Sequence, residues 1–283
     1  MKLAVDSGST KTDWGFFNTP SDLEVLKTQG INPCHQSTDE IHSILKKEFL
    51  PQTGGIDLNS VTEVFFYGSG CATSAICSQM SSILKDYFPA AAITVESDML
   101  GAARALCGRT EGVTCILGTG SNSCLYDGKN IVDQIPSLGY ILGDEGSGAA
   151  LGRRFISDSL KRQLPDAVCK EFMERYALDN ETIIENVYRK PLPNRYIAQF
   201  VPFIREKRAV PEVHKLIVFC FSEFFTRNVI NYHKPWLPVH FVGSIAGIFT
   251  EELIETAESL GMTIGQIMSS PLEGMVDYHS VKD

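Results

Sequence analysis

Residues 1–13 read MKLAVDSGSTKTD, the first of two similar stretches in the chain. An apolar run ends at Asp6, a turn of small and hydroxyl-bearing residues follows, and a second apolar run begins at Trp14. The pattern predicts two strands joined by a tight turn, in which Gly8 permits a sharp bend and a close approach of the backbone to a ligand. Amides and hydroxyls of such a turn can bind phosphate oxygens, and Asp6 could hold a hydrated Mg²⁺. Taken alone, an ordinary glycine-turn hairpin explains the stretch equally well.

The composition sets limits on the class of protein. The chain has 283 residues, 43% of them hydrophobic, which predicts a sizeable core and one large or two medium domains. Its net charge of −9 argues against a nucleic-acid or membrane-surface partner. Eight cysteines without a CxxC pair are expected to be free thiols. The first residues lack a signal-peptide pattern and no apolar run could span a bilayer, so we expect a cytoplasmic protein.

The pattern of the first hairpin recurs about 110 residues later. Residues 113–117 read as a strand, 118–122 (GTGSN) as a turn of small residues, and 123–127 as a returning strand. With the alternation of strands and helices before it, this repeat predicts an α/β protein of two related domains that face each other. We expect the first at residues 1–112 and the second at 113–269. The second would carry a helical insertion at about 150–234, and a tail at about 270–283 would pack on the first.

Four glycine-rich turns indicate phosphate binding. They lie at Gly8, Gly118, Gly143 and Gly243, each after an apolar strand or loop. Turns at strand ends in facing domains would converge on one cleft. The chain contains neither the GxxxxGK[ST] motif nor a GxGxxG motif that opens a helix after a strand, so it does not use either of those phosphate sites.

Five segments match the motifs of one known family. They are DSGSTKTDW (6–14), ESDMLGAARAL (96–106), ILGTGSNS (116–123), GYILGDEGSGAALG (139–152) and FVGSIAGIF (241–249). In order and nearly end to end, the chain resembles the N-acetylglucosamine kinase and BadF/BadG/BcrA/BcrD ATPase family of the actin, hexokinase and heat-shock-ATPase superfamily. Tyr140 stands where the family often has Trp. The resemblance implies two ribonuclease-H-like domains of the actin/hexokinase type with a cleft between them.

The resemblance also implies a reaction, the ATP- and Mg²⁺-dependent phosphorylation of an amino sugar, most closely N-acetylglucosamine, at its 6-hydroxyl. Such a transfer depends on positioning and on charge stabilisation. Asp6 would organise Mg²⁺ through water. The ATP-binding residues implied are Gly8, Ser9, Thr10, Lys11 and Thr12 in the first hairpin, Gly118, Thr119 and Gly120 in the second, and Gly243, Ser244 and Ala246 on the adenosine side.

The same reaction needs a carboxylate that orients the attacking hydroxyl and accepts its proton. Asp98 lies at a predicted strand-to-helix junction, where a side chain can reach a ligand, and it matches the base of the family. The alternative for Asp98 is a plain helix N-cap.

Sugar contacts are assigned by resemblance to Asn32 and Asp144, with Glu145 supporting the site and Asp98 acting on the sugar directly. Ser121 and Asn122 could add polar contacts. Simple turn chemistry is the alternative for Asn32, and a charge pair at the start of a helix is the alternative for the two acidic residues.

Two other functions stay open. One is an activator ATPase of the 2-hydroxyacyl-CoA dehydratase type, whose iron–sulfur cluster is held by cysteines between subunits. Cys115 and Cys124 flank the second hairpin, in strands that read as core. The other is a non-catalytic sugar- or nucleotide-responsive regulator, which the presence of Asp6, Asp98 and Asp144 disfavours. The sugar could also be N-acetylmuramic acid, glucosamine or another hexose, and the family suggests a homodimer.

Overall fold

Residues 1–281, which the computed structural model describes, contain two five-stranded sheets. The strands of the first sheet are β1 (Lys2–Ser7), β2 (Lys11–Phe17), β3 (Glu24–Gln29), β4 (Glu63–Gly68) and β5 (Ala92–Ser97). Those of the second sheet are β6 (Glu111–Leu117), β7 (Ser121–Asp127), β8 (Ile131–Asp133), β9 (Val239–Val242) and β10 (Ile264–Met268).

The helices cluster around these sheets. Beside the first sheet are α1 (Thr38–Ile44), α2 (Ser74–Lys85), α3 (Asp98–Cys107) and α13 (Leu272–Ser280). Beside the second are α4 (Gly139–Leu142), α5 (Gly148–Leu160), α6 (Asp166–Arg175), α7 (Asn180–Tyr188), α8 (Pro193–Ala198), α9 (Val201–Glu206), α10 (Pro211–Arg227), α11 (Ser244–Ile248) and α12 (Thr250–Ser259). None of the helices within residues 1–281 is long and apolar enough to cross a bilayer.

The chain divides into two compact units. Of the described residues, unit 1 comprises Met1–Thr110, Asp127–Ile131 and 270–281, and unit 2 comprises Glu111–Tyr126 and Val132–Ser269. In unit 1 the C-terminal helix α13 packs on α3 and on strands β1 and β2. The last two residues of the expected tail, 282 and 283, lie outside the described residues.

The two sheets share one strand order. The first runs β5-β4-β1-β2-β3, and the second runs β10-β9-β6-β7-β8. The hairpin of β1 and β2 and the hairpin of β6 and β7 therefore occupy equivalent places. The predicted α/β fold with a repeated strand–turn–strand device is confirmed.

The parallel strands of each sheet bring their carboxyl ends to one edge. Ser7 of β1 pairs with Gly68 of β4, which pairs with Ser97 of β5. The turn after β1 and the start of α3 therefore lie at the same edge of unit 1. In unit 2, Ile116 of β6 pairs with Val242 of β9, so the turns that follow these strands are neighbours.

Buried aromatic residues fix the elements in place. Trp14 on β2 is fully buried, and its ring centroid is 4.5 Å from that of Phe49. In unit 2, helix α10 turns Phe221, Phe224 and Phe225 into the core, whereas Phe219 is 49% exposed. This split is expected of an amphipathic helix.

Two helical stretches of the chain are interrupted. Helix α1 is α-helical as far as Ile44, and the chain continues as a π-helical turn, Leu45–Phe49. The glycine-rich stretch 139–152 is divided into α4 and α5. The break falls at Gly143 and Asp144, where Asp144 adopts a left-handed φ of 59°.

Candidate active site

Buried hydroxyls brace the first hairpin. The hydroxyl of Ser7 lies 2.7 Å from that of Thr12 and donates to the carbonyl oxygen of Ile31 at 2.8 Å. The amide of Ile31 donates back to both hydroxyl oxygens at 3.2 Å. The hairpin is thereby tied to the segment that contains Asn32. Thr12 is fully buried, so its hydroxyl serves this brace and does not stand open to phosphate, in contrast to the sequence-based expectation.

The turn of the first hairpin is closed by backbone bonds. The amide of Gly8 donates to the carbonyl of Lys11 at 3.0 Å, and the amide of Gly30 donates to that of Thr10 at 3.1 Å. A Cβ atom at position 30 would lie 2.3 Å from the carbonyl oxygen of Gly8, so only glycine fits there. The side chains of Ser9 and Thr10 are exposed at the tip, where a ligand can meet them.

Three carboxylates and one ammonium group gather at this edge of unit 1. Asp6 and Asp13 are partners in the register of β1 and β2, so their side chains stand on the same face. The Nζ atom of Lys11 is 2.5 Å from Oδ2 of Asp13. Burial, together with the charges of Asp13 and Asp98, raises the pKa of Asp6 to about 7, and Lys11 partly opposes the rise.

This excess of negative charge fits a divalent cation. Mg²⁺ usually keeps several waters and takes one or two carboxylates plus substrate phosphates, so Asp6 alone could supply the protein ligand. Within residues 1–281, no group of three or more His, Cys, Asp or Glu side chains is arranged to hold a metal ion. A Mg²⁺ ion at Asp6 would therefore draw most of its ligands from water and nucleotide.

Asp98 is the first residue of α3, but it is not the helix cap. The cap is Ser97, whose hydroxyl oxygen accepts from the amide of Leu100 at 3.2 Å. Oδ1 of Asp98 accepts from the amide of Met99 at 2.9 Å. Burial raises the pKa of Asp98 to about 6, although backbone amides partly oppose the rise. The alternative interpretation of Asp98 as a plain cap is therefore not needed, because Ser97 fills that role.

Asn32 is held in a turn that leaves one end of its amide available. Its side-chain Oδ1 accepts from the backbone amide of Cys34 at 3.0 Å. The backbone amide of Asn32 donates to Oε1 of Gln36 at 2.7 Å. Gly70, with φ of 86°, approaches so closely that a Cβ there would be 2.2 Å from Oδ1 of Asn32. Within residues 1–281 no hydrogen bond involves Nδ2 of Asn32. Turn chemistry thus orients this side chain and leaves two amide hydrogens for a ligand.

The turn of the second hairpin is anchored to the start of α5. Gly118 donates to the carbonyl of Gly120 at 2.9 Å. The amides of Gly148 and Ala149 donate to the carbonyls of Gly118 and Thr119 at 2.8 and 3.1 Å. The amides of Thr119 and Gly120 make no hydrogen bond within residues 1–281. These two donors are suited to an anion.

Asp144 lies against this turn. Its Oδ1 accepts from the amide of Ser121 at 3.2 Å, and its own amide donates to the carbonyl of Ser137 at 3.2 Å. The side chain is largely buried, which raises the pKa of Asp144, while the Ser121 amide opposes the rise. Helix α5 is capped by Ser147 rather than by the acidic pair. The predicted sugar-binding carboxylate and the predicted phosphate turn therefore form one cluster in unit 2.

Glu145 and Asn122 are engaged within the protein. Oε1 of Glu145 pairs with Nε of Arg227 at 2.6 Å, which ties the segment to α10. Oδ1 of Asn122 accepts from the amide of Ser123 and from Nε2 of Gln134 at 2.9 and 3.1 Å. Both residues are therefore placed to support the site.

The turn after β9 joins the same cluster. Gly243 has φ of 121°, and a Cβ there would lie 2.3 Å from the carbonyl oxygen of Leu117, at the end of β6. In α11, Ser244 and Gly247 are exposed whereas Ala246 is fully buried. Ala246, predicted on the adenosine side, lies in the core, because helical spacing turns it inward with Ile245.

The cysteines within residues 1–281 are not grouped to hold a metal cluster. None of the eight, all of them within residues 1–281, forms a disulfide. Cys115 and Cys124, which flank the second hairpin, are both fully buried. They form part of the core, as their strands predicted.

Sequence reasoning missed two residues of the first hairpin, Ser7 and Asp13. Ser7 forms the brace with Thr12, and Asp13 binds Lys11. Pairing the two runs as a hairpin with four residues, 8–11, between the last paired residues would have put Asp13 opposite Asp6 and Thr12 opposite Ser7.

Each unit therefore carries a glycine-turn hairpin at the same place in the same strand order, with an aspartate close to the turn. Unit 2 adds backbone amides without a hydrogen-bond partner among the described residues, at Thr119 and Gly120, and unit 1 adds the partly buried carboxylate of Asp98 at the start of a helix. Together with the duplicated hairpins, these features are those of a phosphotransferase of the actin/hexokinase type.

Comparison with solved structures identifies the family. A candidate N-acetylglucosamine kinase from Porphyromonas gingivalis is 47% identical, with a TM-score of 0.95 over 99% of each chain. At this identity and coverage the chain belongs to the N-acetylglucosamine kinase and BadF/BadG/BcrA/BcrD ATPase family, and it is an ATP-dependent phosphotransferase.

More distant structures share the fold. A candidate N-acetylglucosamine kinase from Chromobacterium violaceum has a TM-score of 0.71 at 16% identity over 98% of each chain. A ROK family glucokinase from Streptomyces griseus, solved with glucose and AMPPNP, has a TM-score of 0.56 at 12% identity over 97% of this chain and 98% of that one. No protein-family model matches the chain, and neither does any curated protein.

Proposed function

We propose that the protein transfers the γ-phosphoryl group of ATP to the 6-hydroxyl of N-acetylglucosamine. The observation that carries this proposal is the position of the Asp98 carboxylate, which does not cap its helix. Ser97 caps α3, so the Asp98 carboxylate is left at the sheet edge beside Asp6. The choice of sugar is supported by the description of the relative that is 47% identical.

Asp98 would act as the general base. Its carboxylate orients the 6-hydroxyl and accepts the proton as the bond to phosphorus forms, a contribution of roughly 10²–10⁴-fold. A pKa of about 6 suits this role, because the group is largely ionised at neutral pH yet more basic than an exposed aspartate.

Each hairpin offers groups that would suit phosphate oxygens of the nucleotide. Unit 1 offers the first turn with Gly8, the exposed Ser9 and Thr10, and the Lys11 ammonium. Unit 2 offers the open amides of Thr119 and Gly120. When bound at Asp6, Mg²⁺ would neutralise part of the phosphate charge. The positioned donors would stabilise the charge that spreads over the phosphoryl oxygens in a loose transition state.

Asn32 in unit 1 and Asp144 in unit 2 each present a group that would suit a sugar. Asn32 presents Nδ2 as a donor to a carbonyl or hydroxyl oxygen. Asp144 keeps Oδ2 for a sugar hydroxyl, since only Oδ1 is used by Ser121. Glu145 would support Asp144 through its ion pair to Arg227. On the nucleotide side, Gly243 and the exposed Ser244 would contact adenosine.

A coupled ADP-release assay tests the proposal. Purified protein is supplied with Mg-ATP and, in separate reactions, N-acetylglucosamine, N-acetylmuramic acid, glucosamine and glucose. We expect the highest kcat/KM with N-acetylglucosamine, and a product in which phosphorus is coupled to the C6 protons by NMR. ATP turnover without transfer to any sugar would contradict the proposal.

Two further properties belong to the same proposal. We place the enzyme in the cytoplasm, where ATP is available and cysteines outside disulfides stay reduced. We also propose a homodimer, which light scattering would report as twice the 31.2 kDa chain mass. A monomeric mass at micromolar concentration would contradict the second point.

A further inference from the structure

The ion pair of Lys11 and Asp13 combines a buried anion with an exposed cation. Only 5% of the Asp13 side chain is exposed, against 56% for Lys11, and the two charged atoms are 2.5 Å apart. The register of the hairpin sets Asp13 opposite Asp6. Side chains two residues apart in a strand share a face, so the ammonium group of Lys11 stands on the Asp6 side of the sheet, where the strand leaves the phosphate turn.

Stability alone does not account for Asp13. Its Oδ1 is buried and has no hydrogen-bond partner within residues 1–281. The nearby carboxylate of Asp6 repels it, as the raised pKa of Asp6 shows. Burying a carboxylate costs free energy that a single ion pair often fails to recover. An aspartate in this position is therefore expected to serve something other than the fold.

We propose that Asp13 is a positioning residue, which holds the Lys11 ammonium at the first hairpin so that it meets the phosphate oxygens of the nucleotide. This inference rests on the proposed kinase function. A free lysine has a long flexible stem and loses rotamer entropy when it binds an anion. A lysine already fixed by Asp13 has lost that freedom before the nucleotide arrives, which is the usual benefit of preorganisation.

The test measures binding of Mg-AMPPNP by calorimetry, so that it does not depend on turnover. The variants are Asp13→Asn, Lys11→Met and the double variant. Glu63→Gln is the matched control, since Glu63 pairs with Lys2 at 3.0 Å on the same sheet. That pair lies at the opposite end of β1 from the phosphate turn.

We expect Asp13→Asn to bind about 10-fold more weakly and Lys11→Met about 10- to 100-fold more weakly, as for lost hydrogen bonds to charged groups. The double variant should bind no more weakly than Lys11→Met, because Asp13 acts through Lys11. Glu63→Gln should bind as the wild type does. The melting temperature of Asp13→Asn should equal or exceed that of the wild type.

Four results would overturn the inference. Unchanged binding in Asp13→Asn would remove the residue from the site, and so would additive losses in the double variant. A lower melting temperature, or failure of Asp13→Asn to fold, would assign it a structural role. If Asp13→Asn does not fold, Lys11→Met still tests the lysine, because its side chain is exposed. Wild-type binding of Mg-AMPPNP by Lys11→Met also overturns the inference. Failure of the wild type to bind Mg-AMPPNP would instead contradict the proposed function itself.

Discussion

The backbone amide of Ser121 donates to Oδ1 of Asp144 at 3.2 Å. This bond joins the second hairpin to residues 143–147, which read GDEGS. The bond links a residue beside the proposed phosphate donors to the proposed sugar ligand. A change at the turn should therefore alter how the sugar binds, although the turn is assigned to phosphate.

Gly120→Ala tests this link. A Cβ at position 120 would lie 3.0–3.2 Å from both carboxylate oxygens of Asp144, whereas at Gly118 the nearest atom would be 3.9 Å away. We expect the KM for sugar to rise about 10-fold in Gly120→Ala, the scale of one perturbed charged hydrogen bond. Gly118→Ala should change this KM by less than about 2-fold. Equal sugar KM values in the two variants would contradict the link.

Thr12→Val should loosen the first hairpin. The substitution keeps the shape but removes a buried hydroxyl that contacts Ser7 and accepts from the Ile31 amide. We expect a loss of about 1–3 kcal/mol in the free energy of unfolding, measured with urea. Thr10→Val, at an exposed position of the same hairpin, should change it by less than about 0.5 kcal/mol. Equal stabilities for the two variants would show that the brace is unimportant.

Asp98 should make stability depend on pH. Burial raises its folded-state pKa to about 6, above the value near 4 expected in the unfolded chain. The folded state therefore holds this proton more tightly, and the stabilisation present below about pH 4 is lost as the pH rises through 6. Asp98→Asn avoids that loss. Its free energy of unfolding at pH 8 should therefore exceed that of the wild type by about 1–2 kcal/mol, after a discount for the partial exposure of Asp98.

Unfolding in urea at pH 4 and pH 8 provides the measurement. The two proteins should be closest in stability at pH 4, where the wild-type carboxyl is protonated, and should diverge at pH 8. A wild type that is as stable as Asp98→Asn at both pH values would show that the carboxylate is not strained in the fold.

Gly243→Ala should disrupt the turn after β9. A Cβ there would meet the carbonyl oxygen of Leu117 at 2.3 Å, and φ is 121°. We expect the free energy of unfolding, measured with heat or urea, to fall by about 2–4 kcal/mol, because the backbone around the turn must move. Gly247→Ala, four residues later, has its nearest contact at 3.4 Å and should be neutral or slightly stabilising. Similar losses in both variants would contradict this explanation.

The duplicated hairpins could be predicted because their signal is local. An apolar run, a glycine turn with hydroxyls and a second apolar run predict strands at 113–117 and near Asp6 without knowledge of the partner. The position of Asp98 at a strand-to-helix junction could be predicted for the same reason. Sequence alone left open which residue caps α3, because Ser97 and Asp98 are both good caps.

The direction of individual side chains could not be predicted. Thr12 faces the brace rather than the ligand because strand pairing sets it opposite Ser7, and a shift of one residue would reverse this. Ala246 is buried because the phase of the short helix α11 turns it toward the core. The role of Asp13 depends on a register that tertiary pairing fixes.

Turnover of Asp98→Asn with N-acetylglucosamine and Mg-ATP is the most direct test of the proposed chemistry. Asp166→Asn is the matched control, because Asp166 is likewise the first residue of a helix, α6. We expect kcat to fall roughly 10²–10⁴-fold in Asp98→Asn, with Mg-AMPPNP binding retained and with Asp166→Asn unchanged. Phosphorylation of N-acetylglucosamine by Asp98→Asn at the wild-type rate would contradict the assignment of Asp98 as the base.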